Sequence, residues 1–208
     1  MEHDTDFILP AFLPQPGFLF WRSIDSHLIP TGGSMSRYIF AFVLILAAAL
    51  SRMLPHPPNM VPVTALALFG GVYLDRKLAF VVPMAAMLIT DWFIGFHSTA
   101  IWVYVSFVMI GLVGLWLRNH RGVLTTIGAT VAGSVLFYVI TNFGVWLSPP
   151  FMYAHTPGGL VECYVAAIPF FRNTLAGDLL YVGALFGLYE LGKRVIPSLS
   201  ERAAKASA

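Results

Sequence analysis

From Tyr38 onward the chain is a succession of long apolar runs separated by short polar turns, which limits it to folds that can dissolve greasy segments. The runs are Tyr38–Leu54, Met60–Leu74, Leu78–Ile94, Ala100–Leu117, Gly122–Leu147 and about Phe170–Leu191. About 20 residues cross the hydrocarbon core of a bilayer at 1.5 Å per residue. Hydrophobic residues make up 58% of the 208 and charged residues only 11%, with a mean hydropathy of +0.77. A soluble domain would be about a quarter charged. Clustering into runs, rather than amphipathic spacing, favours membrane spans over a soluble core. The expected fold is therefore all-α and polytopic, with six transmembrane helices. The first three runs are short, so the second and third also fit a tight hairpin or a partly re-entrant pair. Pro62 and Pro83 support that variant.

Residues 1–34 read differently. They hold acids, Pro10, Pro14, Pro16, Pro30 and the turn-like Thr31-Gly32-Gly33-Ser34. The apolar part, Phe7 to Trp21, is broken by three of those prolines and has no basic region ahead of it, so it makes a poor signal peptide and a poor span. We expect an extension that is dispensable, or an upstream mis-assigned start before Met35. The transmembrane domain then covers 35–195, and 196–208 form a tail.

Orientation follows from Lys and Arg. Arg37, Arg76-Lys77, Arg118 with Arg121, and Lys193-Arg194 fall at alternate ends of the runs, leaving only Arg52 and Arg172 at the opposite ends. The positive-inside rule then predicts a membrane protein with both termini and the 75–77 and 118–121 loops in the cytoplasm. A net charge of +2 argues against a nucleic-acid partner. Cys163 is the sole cysteine, which excludes an intrachain disulfide and a Cys-cluster metal site. No HExxH, GxSxG or paired-His motif occurs, so neither enzymatic chemistry, a metal nor a cofactor is expected.

In this orientation the outer ends gather the polar residues. Pro55-His56-Pro57-Pro58-Asn59 forms the first outer loop. Asp91, His97 and Tyr104 surround the second, Asn142 closes the fifth span, and Arg172, Asn173 and Asp178 open the sixth. An ionisable group inside a span costs about 2.5–3.5 kcal/mol on insertion scales and is retained when paired or used on a ligand. Arg172, read at the N-terminal end of its span, needs an anion because the helix dipole disfavours a cation there. Asp91 is the expected partner, either as a plain structural ion pair or in a ligand-holding triad with Asp178, with Asn142 and Asn173 beside it. His56, His97 and Tyr104 would cap or ligate, unless the histidines are simply solvated loop residues. Trp92, Trp102, Trp146 and Tyr153 suit an interfacial belt. Glu190 and Arg194 have ion-pair spacing. Gly183-xxx-Gly187 and Ala129-xxx-Gly133 suit close helix packing. In the last outer loop, 148–170, Leu160–Ile168 reads as a short interfacial helix ending at Pro169, serving as a lid or as a passive connector.

The runs Ser51-Arg52-Met53-Leu54-Pro55-His56-Pro57-Pro58-Asn59, Ala65-Leu66-Ala67-Leu68-Phe69-Gly70-Gly71 and Pro169-Phe170-Phe171-Arg172-Asn173-Thr174 resemble an uncharacterised family of six-span bacterial membrane proteins. The resemblance covers about residues 36–195. That family is similar in layout to the substrate-binding S components of energy-coupling-factor vitamin transporters, above all the solitary cobalamin-transporting type. The resemblance implies a pocket lined by His56, Asp91 and Arg172, a vitamin-like ligand such as a cobalamin or corrinoid, and uptake driven by a partner module or a gradient. Those proteins place a cobalt-ligating cysteine after the Asp, where this chain has His97 or Tyr104. Only Ala47-xxx-Ser51 matches the small-residue spacing that docks S components on a coupling subunit. The competing expectation is an accessory subunit of a larger membrane complex.

Overall fold

The computed structural model describes residues 32–96, 98–196 and 199; His97, most of the N-terminal extension and most of the tail lie outside them. All secondary structure among these residues is helical. The helices are α1 (Gly32–Ser51), α2 (Val63–Tyr73), α3 (Leu78–Ile94), α4 (Ala100–Leu117), α5 (Val123–Leu147) and α6 (Pro157–Val195).

The middle of the molecule is α2, and its sequence dictates this. A helix that is apolar on every side must be surrounded. Val63 through Val72 are all buried. The other five helices close a ring around it in the order α1, α3, α4, α5, α6 and back to α1, and each touches α2. Two glycines bring α2 and α4 together: a Cβ on Gly71 would lie 2.6 Å from the Gly114 backbone, and one on Gly114 would lie 2.9 Å from the Leu68 carbonyl. Small residues permit such backbone approach, and dispersion contacts hold it. Gly133 does the same for α5, where a Cβ would meet the Thr64 methyl at 2.7 Å. The Ala129-xxx-Gly133 spacing therefore packs inward as expected.

The outward surface of the ring is largely apolar. Phe42 and Val43 on α1, Phe93 on α3, Ile101 and Leu112 on α4, Leu124 on α5 and Leu180 and Leu188 on α6 are all exposed. A water-soluble monomer does not expose apolar surface on this scale. Helices α4, α5 and α6 are long and apolar enough to cross a membrane, and α1, α2 and α3 are shorter apolar helices. The chain has the character of a membrane protein.

Several expected boundaries shift: α1 ends at Ser51 rather than Leu54, and α2 begins at Val63 rather than Met60. The first helix starts at Gly32 rather than Tyr38. The expected short helix at 160–168 is no separate element: it is the first part of α6, 39 residues long, which runs through Pro169. The start is set by Thr156, whose hydroxyl accepts a hydrogen bond from Gly159 N at 3.2 Å, followed by Pro157 in the first turn. A hydroxyl N-cap followed by proline is a strong helix start. Pro169 forfeits one backbone hydrogen bond, and packing of the early turns on α5 offsets it. Tyr138 donates to the Tyr164 carbonyl, and Tyr164 donates to the Val139 carbonyl at 2.7 Å.

Candidate functional site

The Asp91 carboxylate is buried where α1, α3 and α4 meet, and Arg52 is its partner. Arg52 Nη2 donates to Oδ1 at 2.6 Å, Tyr104 Oη donates to Oδ2 at 2.5 Å, and Arg52 Nη1 donates to Thr90 Oγ1 at 2.6 Å. Side-chain exposure is 11% for Arg52 and 5% for Asp91. Both carboxylate oxygens thus accept a short hydrogen bond from within the protein, and the cluster is closed by Arg52 and Tyr104. The expected Asp91–Arg172 pair does not form.

Arg172 is exposed and has no ion pair or hydrogen bond among the described residues. The reason lies in the length of α6. Because the helix begins at Pro157, Arg172 sits well inside it rather than at an N-terminus. Its peptide neighbours are satisfied, and the dipole argument for a facing anion lapses. The expected triad of Asp91, Arg172 and Asp178 is likewise absent: each group has a different neighbourhood.

Asp178 holds the most unusual position. It is 1% exposed, midway along α6. Ser134 Oγ on α5 donates to Oδ2 at 2.6 Å, while Oδ1 has no partner. The Thr64 hydroxyl, in the first turn of α2, faces the same carboxylate without completing a bond. No ion pair reaches Asp178 among the described residues. Buried polar atoms are nearly always satisfied, so two orphaned oxygens side by side call for an explanation.

Above Asp178 is the loop between α1 and α2. Met60 packs against Gly177, where a Cβ would lie 2.8 Å from Met60 Cγ. Asn173 Nδ2 donates to the Pro58 carbonyl at 3.0 Å and pins the loop to α6. His56 bonds only within its own loop, to the carbonyls of Pro57 and Arg52. Asn59 adopts a left-handed φ of 61°, a conformation that asparagine tolerates better than most residues. With Tyr138, Thr141, Asn142 and Thr174 it lines a narrow cleft of about 10 Å³. Asn142 is held by its own helix, donating to the Tyr138 carbonyl at 2.8 Å, and its carbonyl accepts from Cys163 Sγ at 3.4 Å.

Below Asp178 the seam between α5 and α6 opens into a groove of about 770 Å³, with Thr130 and Val182 buried in its wall and Leu179 at its exposed rim. Gly183 and Gly187 line it, and a Cβ on either would meet nothing within 4 Å. The expected close packing at Gly183-xxx-Gly187 is therefore not made within this chain. At the far end, Glu190 pairs with Lys193 at 2.7 Å, and Tyr73 Oη donates to it at 2.8 Å. That replaces the expected Glu190–Arg194 pair.

Of the residues singled out from the sequence, the structure gathers Asn59 and Asn142 around the narrow cleft, with Asp178 beneath and Asn173 fastening the loop. Tyr104 belongs to the Asp91 cluster, His56 to the loop, and Arg172 to the exposed surface. Arg52, Thr64 and Ser134 were not anticipated. Arg52 did carry a signal: a lone cation on the side that the positive-inside rule leaves nearly empty. Hydroxyls such as Thr64 and Ser134 carry none. No curated protein matches the chain, and no solved structure matches it. Residues 33–199 match the family of unknown function DUF6580, and the chain belongs to that family.

Proposed function

We propose that this is a six-crossing bacterial inner membrane protein that binds and carries a vitamin-like small molecule, in the manner of an S component. In this reading the α5–α6 seam, and not the Asp91 cluster, holds the ligand. The observation that carries it is Asp178, a carboxylate buried between a closed outer cleft and a groove below, with one oxygen unoccupied. Intramembrane ionisable groups are kept at a cost and mark substrate or ion sites. A hydroxyl or amide N–H of the ligand would satisfy Asp178 Oδ1, with Asn59 and Asn142 adding polar contacts above.

The same reading places both termini in the cytoplasm, following the basic loops. The first outer loop, pinned by Asn173 and seated on Gly177, is the lid, because its Asn59 closes the cleft that Thr174 lines one turn of α6 before Asp178. No Walker-type phosphate loop occurs in the sequence, so energy for uptake would come from a partner module or an ion gradient. Corrinoids and cobalamins are the first candidates on the resemblance noted above.

The test is a thermal-stability and calorimetric screen of the purified chain against cobalamins, corrinoids and other vitamins. A stabilising, stoichiometric ligand is expected, and Asn173→Ala should speed its association by releasing the lid. Silence across the whole panel would overturn the reading.

A further inference from the structure

The groove continues at its cytoplasmic end into a second cavity of different chemistry. This cavity, about 120 Å³, is lined by Arg37, Arg121 and Lys193 together with Tyr38, Tyr73 and Tyr189, and no acid lines it. The two cavities share Tyr73, Arg121 and Lys193 as walls. Arg121 lies 5.5 Å from the Tyr73 ring centre, and Lys193 lies 5.7 Å from that of Tyr189. These contacts hold the cations toward the cavity. Two acids stand beside it: Glu190, at the edge of the groove, pairs with Lys193, and Asp75 faces the Tyr38 hydroxyl, leaving the three cations in excess.

We propose that this composite site binds an anionic diacyl phospholipid of the cytoplasmic leaflet. The phosphate would sit among Arg37, Arg121 and Lys193, and an acyl chain would lie along Gly183 and Gly187. Three features favour this occupant. The groove opens on the outward face of the ring, where Val123, Ile127 and Leu179 are exposed. Its extent along α6, from Leu179 to Lys193, is roughly 20 Å at 1.5 Å per residue, on the order of one leaflet of hydrocarbon. The positive charge is confined to one end, as a headgroup requires, and basic residues there attract anionic lipid. An occupied groove would also give α5 and α6 the packing that the two glycines leave open.

The proposal rests on the membrane reading above, but not on the ligand of Asp178. The experiment uses the full chain purified in detergent, supplemented with dioleoyl-phosphatidylglycerol, dioleoyl-phosphatidylcholine or inorganic phosphate, read by thermal unfolding and native mass spectrometry. The expected result is an apparent affinity about tenfold higher for phosphatidylglycerol than for phosphatidylcholine, with no response to inorganic phosphate. Arg121→Gln with Lys193→Gln should abolish the preference. Gly183→Leu with Gly187→Leu fills open space, so it should leave the lipid-free melting temperature unchanged and abolish retention of the lipid. Equal binding of both lipids overturns the proposal. So does phosphatidylglycerol binding that survives the leucines, or a response to phosphate alone. A chain that stays soluble without detergent would instead overturn the membrane reading.

Discussion

Deleting the Asp91 carboxylate leaves Arg52 buried with only the Thr90 hydroxyl and weak Met87 contacts as partners. Both members of the pair are well under one-third exposed, so solvent screening does little to soften the loss. Breaking a buried pair from one side costs about 3–5 kcal/mol, mostly through the charge left behind. Asp91→Ala should therefore destabilise by about that much. Tyr104→Phe removes one hydrogen bond to a charged acceptor and should cost about 1.5–3 kcal/mol. Arg52→Met with Asp91→Leu removes both charges, and such replacements are often neutral or stabilising by about 1–4 kcal/mol. The double variant should thus recover most of what Asp91→Ala loses. Arg172→Ala, on the exposed surface, should stay within about 0.5 kcal/mol. Reversible denaturant titration of the full chain in detergent, followed by helical circular dichroism, measures all four. If Arg172→Ala costs as much as Asp91→Ala, or Tyr104→Phe costs nothing, the assignment of Asp91 to Arg52 is wrong.

Three further outcomes follow from the packing. Asp178→Leu removes an orphaned buried oxygen, while Ser134 keeps the Thr130 carbonyl as acceptor at 3.0 Å; stability should be unchanged or raised by about 1–2 kcal/mol, with ligand binding lost, as unfolding and titration experiments would reveal. Gly71→Leu and Gly114→Leu drive side chains into facing backbone, and each should cost at least about 3 kcal/mol or prevent folding, seen as aggregation in size-exclusion profiles. Cys163, buried against Asn142, should resist a maleimide in the folded protein and react fully once denatured; rapid labelling of the native chain would mean that the start of α6 is not docked on α5.

Much of the architecture was legible from hydropathy. Leu78–Ile94 and Ala100–Leu117 are helices with the expected bounds, and Val123–Leu147 differs by one residue at its start. The apolar pattern and charge punctuation decide these locally. The true start of α6 was marked as well, by Thr156-Pro157, but Pro169 looked like a boundary because proline usually ends a helix. Pairing was not legible. A run of residues gives depth along a helix but not the direction a side chain faces once six helices close around one another. That is why Asp91 could be set near Arg172 in depth while Arg52 holds it in space. Likewise, Ala129-xxx-Gly133 and Gly183-xxx-Gly187 share one spacing, yet the first meets α2 and the second meets an open groove. Asp178 was visible as an intramembrane acid, whereas its solitude depends on which hydroxyls the fold brings to it.

The central claim is that the ligand is held at Asp178. Its most direct test is the dissociation constant of the panel's best ligand, measured for the parent chain beside Asp178→Asn and Asp91→Asn. The account predicts about a tenfold or greater loss for Asp178→Asn, the cost of one buried hydrogen bond, and little change for Asp91→Asn in protein that remains folded. Unaltered affinity in Asp178→Asn, with loss confined to Asp91→Asn, would contradict it.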